Sequence, residues 1–212
     1  MKKRGPTKFR CELVTWGKIL RLSRRLAFMV KESGYRPDLL IAIGRGGYVP
    51  ARLLSDYLCQ DNLASIRIVH YQRGAEKKET AEIRYPLNAD PKGMKVLVVD
   101  DVSDSGDTLN LAVEHVRGFG PREVRTAVLH HKEVSYFVPD HFAAHVVRWR
   151  WIIYPWAVVE DLSGFISRME DGPKDIPGIA ERLAIEYGVR VTADTVEDVL
   201  AAMNPSPERK EP

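Results

Sequence analysis

The sequence predicts an α/β fold: a parallel twisted sheet with helices on both faces, plus a small helical appendage at the C-terminal end. Three observations carry that expectation. Short apolar runs alternate with helix-length segments from residue 16 to residue 147, the pattern of strands linked by crossover helices. Two of the runs, Leu39–Ile43 and Lys95–Val99, are almost continuously apolar, as in strands buried on both faces. Beyond residue 161 the strand pattern stops and two helix-length segments remain.

Residues 1–12 read as an exposed start. Thr15 can cap a helix over 16–33, with Trp16, Ile19, Leu20, Leu26, Ala27 and Val30 at helical spacing and Lys18, Arg21, Arg24 and Arg25 between them. Gly34 and Pro37 end it. Leu39–Ile43 is a strand, Gly44-Arg45-Gly46-Gly47 a glycine loop, and 49–59 a second helix. Ser65–Tyr71 alternates like a strand. Residues 72–82 are dense in charge (Arg73, Glu76, Lys77, Lys78, Glu79, Glu82) and read as a loop, with a short strand over Ile83–Leu87. Asp90-Pro91-Lys92-Gly93 turns the chain into the strand Lys95–Val99. A helix over 108–118 follows and is stopped by Gly118, Gly120 and Pro121; Val124–Leu129 and Ala143–Val147 are further strands. Gly172, Pro173, Pro177 and Gly178 break the chain before helices over 176–187 and 194–203. The domain expectation is therefore a core domain over 1–160, a helical appendage over 161–204, and a frayed tail over 205–212 rich in proline and charge.

The chain has 212 residues, 44% hydrophobic and 29% charged, enough for a core and a solvated surface. With 32 basic against 29 acidic side chains the net charge is +3, too balanced to argue for nucleic acid. Cys11 and Cys59 form no C-x-x-C pair and read as reduced thiols. No apolar run follows the basic residues at the start, so no signal peptide is expected. No stretch approaches the ~18 apolar residues of a membrane span. These features together place the expected protein in the cytoplasm.

The segment Val96–Thr108, V-L-V-V-D-D-V-S-D-S-G-D-T, carries the functional signal. A buried strand leads into the carboxylates Asp100 and Asp101 at the carboxyl edge of the sheet, where open α/β folds bind ligands. A loop of small residues then opens a helix. Its backbone N–H groups, with the helix N-terminus behind them, suit a terminal phosphate. Ser105 and Thr108 add hydroxyls, and Gly106 allows close backbone approach. The carboxylates accept from vicinal hydroxyls or hold Mg²⁺. A phosphate loop beside diol acceptors describes a ribose 5-phosphate site.

At these residues the chain resembles the phosphoribosyl pyrophosphate (PRPP) motif of type I phosphoribosyltransferases. Three further segments widen the resemblance toward the xanthine-guanine, or 6-oxopurine, branch. Gly44-Arg45-Gly46-Gly47-Tyr48-Val49-Pro50 is similar to its pyrophosphate loop, in which the peptide before the arginine is commonly cis. Lys132 stands where a lysine binds the purine's exocyclic oxygen. Trp149–Trp156 resembles the Trp-Ile-x-x-Pro-Trp segment and places Trp151 for stacking and the Ile152 carbonyl for reading the base edge. Trp149 and Trp156 read as core aromatics. The resemblance covers about residues 13–160.

The resemblance implies transfer of ribose 5-phosphate from PRPP to guanine, xanthine or hypoxanthine, as in purine salvage. Asp100 and Asp101 would hold the ribose hydroxyls, with Asp101 also touching Mg²⁺. Ser105, Gly106, Asp107 and Thr108 would wrap the 5-phosphate, while Gly44, Arg45 and Gly46 take pyrophosphate. Asp104 is the implied general base near purine N7; adenine and orotate relatives usually carry Ala or Thr there. The charged stretch 72–82 would be the lid. A homo-oligomer is expected, with small-molecule substrates and neither nucleic acid nor membrane as partner. The chain departs from the family at Ser103, usually aliphatic; at Asp107, a negative charge beside the phosphate loop that is expected to point to solvent; and at Ile153, where bacterial relatives carry glutamate.

Two other readings use residues outside this motif. A PRPP-binding regulator with little or no catalysis would use Arg21, Arg24 and Arg25 as a basic helix face. A metal hydrolase would use His130, His131, His141 and His145, the last two at i, i+4, but the sequence has no His-Glu-x-x-His.

Overall fold

The computed structural model describes residues 9–72, 79–169, 172–173 and 175–204. The chain divides into two compact units, Gly17–Trp149 and a second formed by Met1–Trp16 with Arg150–Pro212.

The larger unit is built on a six-stranded sheet. Its strands are β2 (Leu39–Gly44), β3 (Leu63–Gln72), β4 (Glu79–Tyr85), β5 (Lys95–Ser103), β6 (Glu123–Lys132) and β7 (His141–Val146), in the order β4-β3-β2-β5-β6-β7. β3, β2, β5, β6 and β7 run parallel, and β4 closes one edge antiparallel to β3. The helices α1 (Trp16–Glu32), α2 (Tyr48–Leu58) and α3 (Asp107–Arg117) accompany it. All six residues of β2 are buried, which only a strand covered on both faces achieves. Leu39, Ile41 and Ile43 pack in one cluster with Val96, Val98, Val128 and the α3 residues Leu109, Ala112 and Val116. Leu40 and Ala42 point the other way and are buried equally, on the sheet that α2 packs against.

Several sequence expectations need correcting. The charged residues Glu79 and Glu82 lie in β4, paired in register with β3, not in a loop. Residues 73–78 of the expected lid lie outside the described residues. On α1, Ile19, Leu26, Ala27 and Val30 are buried, but Trp16 and Leu20 are exposed, as are Arg21, Arg24 and Arg25.

The second unit holds β1 (Cys11–Leu13), β8 (Trp151–Ile153), α4 (Val158–Ser167), α5 (Ile176–Tyr187) and α6 (Ala193–Met203). β1, where the sequence suggested an exposed start, pairs parallel with β8. α4 was likewise not expected from the sequence. Ile153, Leu162, Phe165, Ile179, Leu183, Tyr187, Val196 and Val199 form its core. Phe165 and Tyr187 stack at 4.4 Å, and Phe9 meets both rings edge-on. Thr192 caps α6 by accepting from the Thr195 N–H, the preferred N-cap chemistry. Ile153, where the resemblance implied glutamate in bacterial relatives, is fully buried in this core. The expected tail, 205–212, lies outside the described residues.

Candidate active site

The carboxyl ends of the parallel strands bring the site together. β2 ends at Gly44 and β6 at Lys132, while β5 runs past Asp100 and Asp101 to Ser103. The Gly44–Arg45 peptide is cis, as the resemblance implies. The glycine loop is made by close approach. A Cβ on Gly46 would stand 2.5 Å from Asp101 Oδ2 and 2.7 Å from Oδ1. One on Gly47 would strike the carbonyl oxygens of Val99 and Ile43. Only glycine lets the turn lie against the β5 backbone and the Asp101 carboxylate. Arg45 stands exposed on this loop.

Asp100 is buried, and its Oδ1 accepts from the Asp101 N–H at 2.9 Å. Burial, then the Asp101 charge, pushes its carboxyl well above the usual range. Asp101 is more accessible. The pair thus presents hard carboxylate oxygens at the strand end. Mg²⁺ is typically held by one or two carboxylates together with substrate phosphates, and this donor set fits that mode.

The loop between β5 and α3 turns at Gly106, whose φ is +106° and whose Cβ would meet Phe137 Cβ at 2.7 Å. Gly106 is the N-cap of α3, and its carbonyl accepts from Asn110 N–H. Thr108 Oγ1 lies 3.0 Å from His70 Nε2 on β3. The Ser105 hydroxyl donates to Asp107 Oδ2 at 2.8 Å, and Tyr136 Oη donates to Oδ1 at 3.1 Å. Asp107 therefore does not simply face solvent, as expected from the sequence: it ties the loop to the segment after β6. Ser103 does the same from below. Its hydroxyl is 2.7 Å from the Ser135 hydroxyl and 3.2 Å from the Phe137 carbonyl. The buried Ser103 hydroxyl thus has its polar partners satisfied.

Asp104 and Lys132 meet directly. Lys132 Nζ lies 2.6 Å from Asp104 Oδ2, with the lysine side chain 3% exposed and the aspartate 42%. A buried ammonium requires such a partner. The Trp149 indole N–H donates to Asp104 Oδ1 at 3.3 Å, and Lys132 Nζ sits 4.8 Å from the Trp149 ring centroid. Trp149 is 44% exposed, which corrects the expectation of a core aromatic. Sequence reasoning missed it because a tryptophan in a short connection has no periodicity to mark its direction.

Trp151 and Ile152 belong to the second unit. Trp151 is 37% exposed and Ile152 is buried. The Trp151 side chain hydrogen-bonds Asp161 in the first turn of α4. Burial raises the Asp161 carboxyl to about 6, against the lowering effect of the Trp151 bond. Trp156 stacks on Tyr154 at 4.8 Å and meets Trp16 at 5.9 Å.

The histidines do not form a catalytic cluster. His141 and His145 lie on β7, not on a helix. His131 and His145 stack at 5.5 Å, and His145 pairs with Glu133 at 2.7 Å. Burial lowers the basicity of His131 and His141. Among the described residues, no group of three or more His, Cys, Asp or Glu side chains could hold a metal ion. No helix among them is long and apolar enough to cross a membrane.

The phosphoribosyl transferase domain model matches residues 11–161. A xanthine-guanine phosphoribosyltransferase of Gluconobacter oxydans is 30% identical over 145 residues, covering 68% of this chain and 82% of its own. That of Cereibacter sphaeroides is 33% identical over 151 residues, covering 68% and 84%. The crystal structure of a purine phosphoribosyltransferase from Pyrococcus horikoshii superposes with a TM-score of 0.62 at 35% identity, covering 69% of this chain and 93% of that one.

Proposed function

The chain belongs to the phosphoribosyl transferase family, and on that premise we propose that it transfers ribose 5-phosphate from PRPP to a 6-oxopurine, guanine, xanthine or hypoxanthine, in purine salvage. The observation that carries this reading is the Asp104–Lys132 pair at 2.6 Å, at the same sheet edge as the Asp100–Asp101 carboxylates and the loop that opens α3. A 6-oxopurine presents a ring N–H and a carbonyl oxygen to its binding site. One carboxylate and one ammonium side by side match that pair of groups. The amino group of adenine does not suit the ammonium.

In the proposed reaction the C1–oxygen bond to pyrophosphate breaks and a bond from C1 to purine N9 forms, through a state with oxocarbenium character. Asp104 accepts the proton that leaves N7, and Lys132 holds the 6-oxygen as charge develops there. Asp100 and Asp101 accept from the ribose hydroxyls and favour the positive charge at C1 by proximity. Gly106, Asp107 and Thr108 bind the 5-phosphate through the N-terminal N–H groups of α3, with Ser105 turning its hydroxyl from Asp107 to the phosphate. Gly44, Arg45 and Gly46 receive the pyrophosphate. Mg²⁺ bound at Asp101 would supply neutralisation of the leaving group. Trp151 and the Ile152 carbonyl are proposed base contacts on the strength of their sequence segment alone. Residence in the cytoplasm, assembly into a homo-oligomer, and a core domain over 1–160 with an appendage over 161–204 complete the proposal.

The test is nucleotide formation from PRPP, Mg²⁺ and each purine and pyrimidine base in turn, with Asp104→Asn in parallel. The expected result is nucleotide from a 6-oxopurine, with kcat about 10² to 10⁴-fold lower in the variant. Product from adenine or a pyrimidine alone, or full activity in Asp104→Asn, would overturn the assignment.

A further inference from the structure

Both oxygens of the Asp104 carboxylate are already engaged. Lys132 holds Oδ2 at 2.6 Å and the Trp149 indole N–H reaches Oδ1 at 3.3 Å. The same indole ring lies 4.8 Å from the Lys132 ammonium. Trp149 therefore satisfies the two groups on which the proposed reaction calls, and it does so with a fused bicyclic aromatic bearing an N–H on its five-membered ring. That is the donor a purine would bring to Asp104 through N7.

The two contacts to Asp104 differ in kind. The lysine contact is short and its side chain is 3% exposed, so losing it would strand a buried charge. The indole contact is long and its residue is 44% exposed. Trp149 lies between β7 and β8, where Val147 and Arg148 are exposed as well. Of the two partners, the indole is the one a ligand can displace.

From this geometry we infer that Trp149 is a self-occupying gate on the base subsite: its indole holds the place of the purine against Asp104 and Lys132 and leaves when the base binds. The inference rests on the assignment of Asp104 and Lys132 to base binding made above. A purine must compete with a tethered aromatic, so apparent affinity falls by the fraction of molecules in which the subsite is open. The gate acts on the base, because the contacts Trp149 gives up are those with Asp104 and Lys132, and PRPP is assigned to other residues.

The test is steady-state kinetics of the full chain and of Trp149→Leu and Trp149→Phe, varying purine at saturating PRPP and then the reverse. Leucine removes both contacts; phenylalanine removes the N–H but keeps a ring near Lys132. The expected result is a KM for purine about fivefold lower in Trp149→Leu and lowered by less in Trp149→Phe, as loss of one long hydrogen bond of ordinary strength implies, with the KM for PRPP as the fixed reference. A purine KM that is unchanged or raised in both variants overturns the gate. So does a change that appears equally in the KM for PRPP, since that would report a general disturbance of the fold. A wild-type chain that converts no purine overturns the assignment beneath it, and the gate with it.

Discussion

Replacing Gly46 with alanine would set a Cβ 2.5 Å from Asp101 Oδ2, 2.6 Å from Cγ and 2.7 Å from Oδ1. Optimal contact is about 3.5 Å or more, so the whole carboxylate must retreat by roughly 1 Å. Asp101 is not fully buried, so the fold should survive. Overpacking costs about 1–3 kcal/mol, partly offset by the lower unfolded-state entropy of alanine, about 0.4–1 kcal/mol. The expected loss lies in catalysis, where a misplacement of about 1 Å costs on the order of 10²-fold. Steady-state kinetics should show kcat/KM for PRPP reduced about 100-fold in Gly46→Ala, with the midpoint of urea unfolding shifted only modestly. Gly164→Ala is the matched control. It lies within α4 and its Cβ would meet nothing within 4 Å, so it should be neutral or slightly stabilising. A folded Gly46→Ala enzyme with kcat/KM for PRPP within threefold of wild type would refute the reasoning, because the Asp101 carboxylate would then have no bearing on PRPP.

Two further outcomes follow from buried polar groups. The Asp161 carboxyl is raised from 3.8 to about 6, chiefly by burial, so its contribution to stability is fully present below 3.8 and is lost as pH rises through 6. The shift alone would be worth about 3 kcal/mol, which partial exposure reduces to about 1 kcal/mol. Wild type should therefore lose about 1 kcal/mol relative to Asp161→Asn between about pH 4 and about pH 7, read by urea titrations at each pH; a flat difference would show that burial is not the cause. Ser103→Ala removes one partner of the buried Ser135 hydroxyl, which keeps the Phe137 carbonyl at 2.9 Å. It should cost about 1 kcal/mol and raise the KM for PRPP, since Phe137 packs against Gly106; an unchanged KM would separate the loop after β6 from phosphate binding.

Residues close together in the chain were legible from the sequence. Asp100, Asp101, Ser105, Gly106 and Thr108 lie on one strand-loop-helix passage, so one buried strand and one helix start place them all. The strands with unbroken apolar runs were equally plain, because burial on both faces leaves no polar residue to confuse the period. Three-residue β1 was not, since its partner among the described residues is β8, far along the chain. Nor was α4, although Glu160 and Asp161 in its first turn are the charges a helix N-terminus favours.

By itself, then, the sequence determined the buried strands, the helices between them and the residue types that the passage after β5 brings to the sheet edge. These depend on local period, backbone freedom and charge. The tertiary structure alone decided what each side chain touches. The Ser103–Ser135 pair spans separate strands and loops, as do the Tyr136–Asp107 bond and the Trp149 contacts with Asp104 and Lys132. Such contacts depend on which strands become neighbours, and strand order follows from burying the whole apolar surface at once.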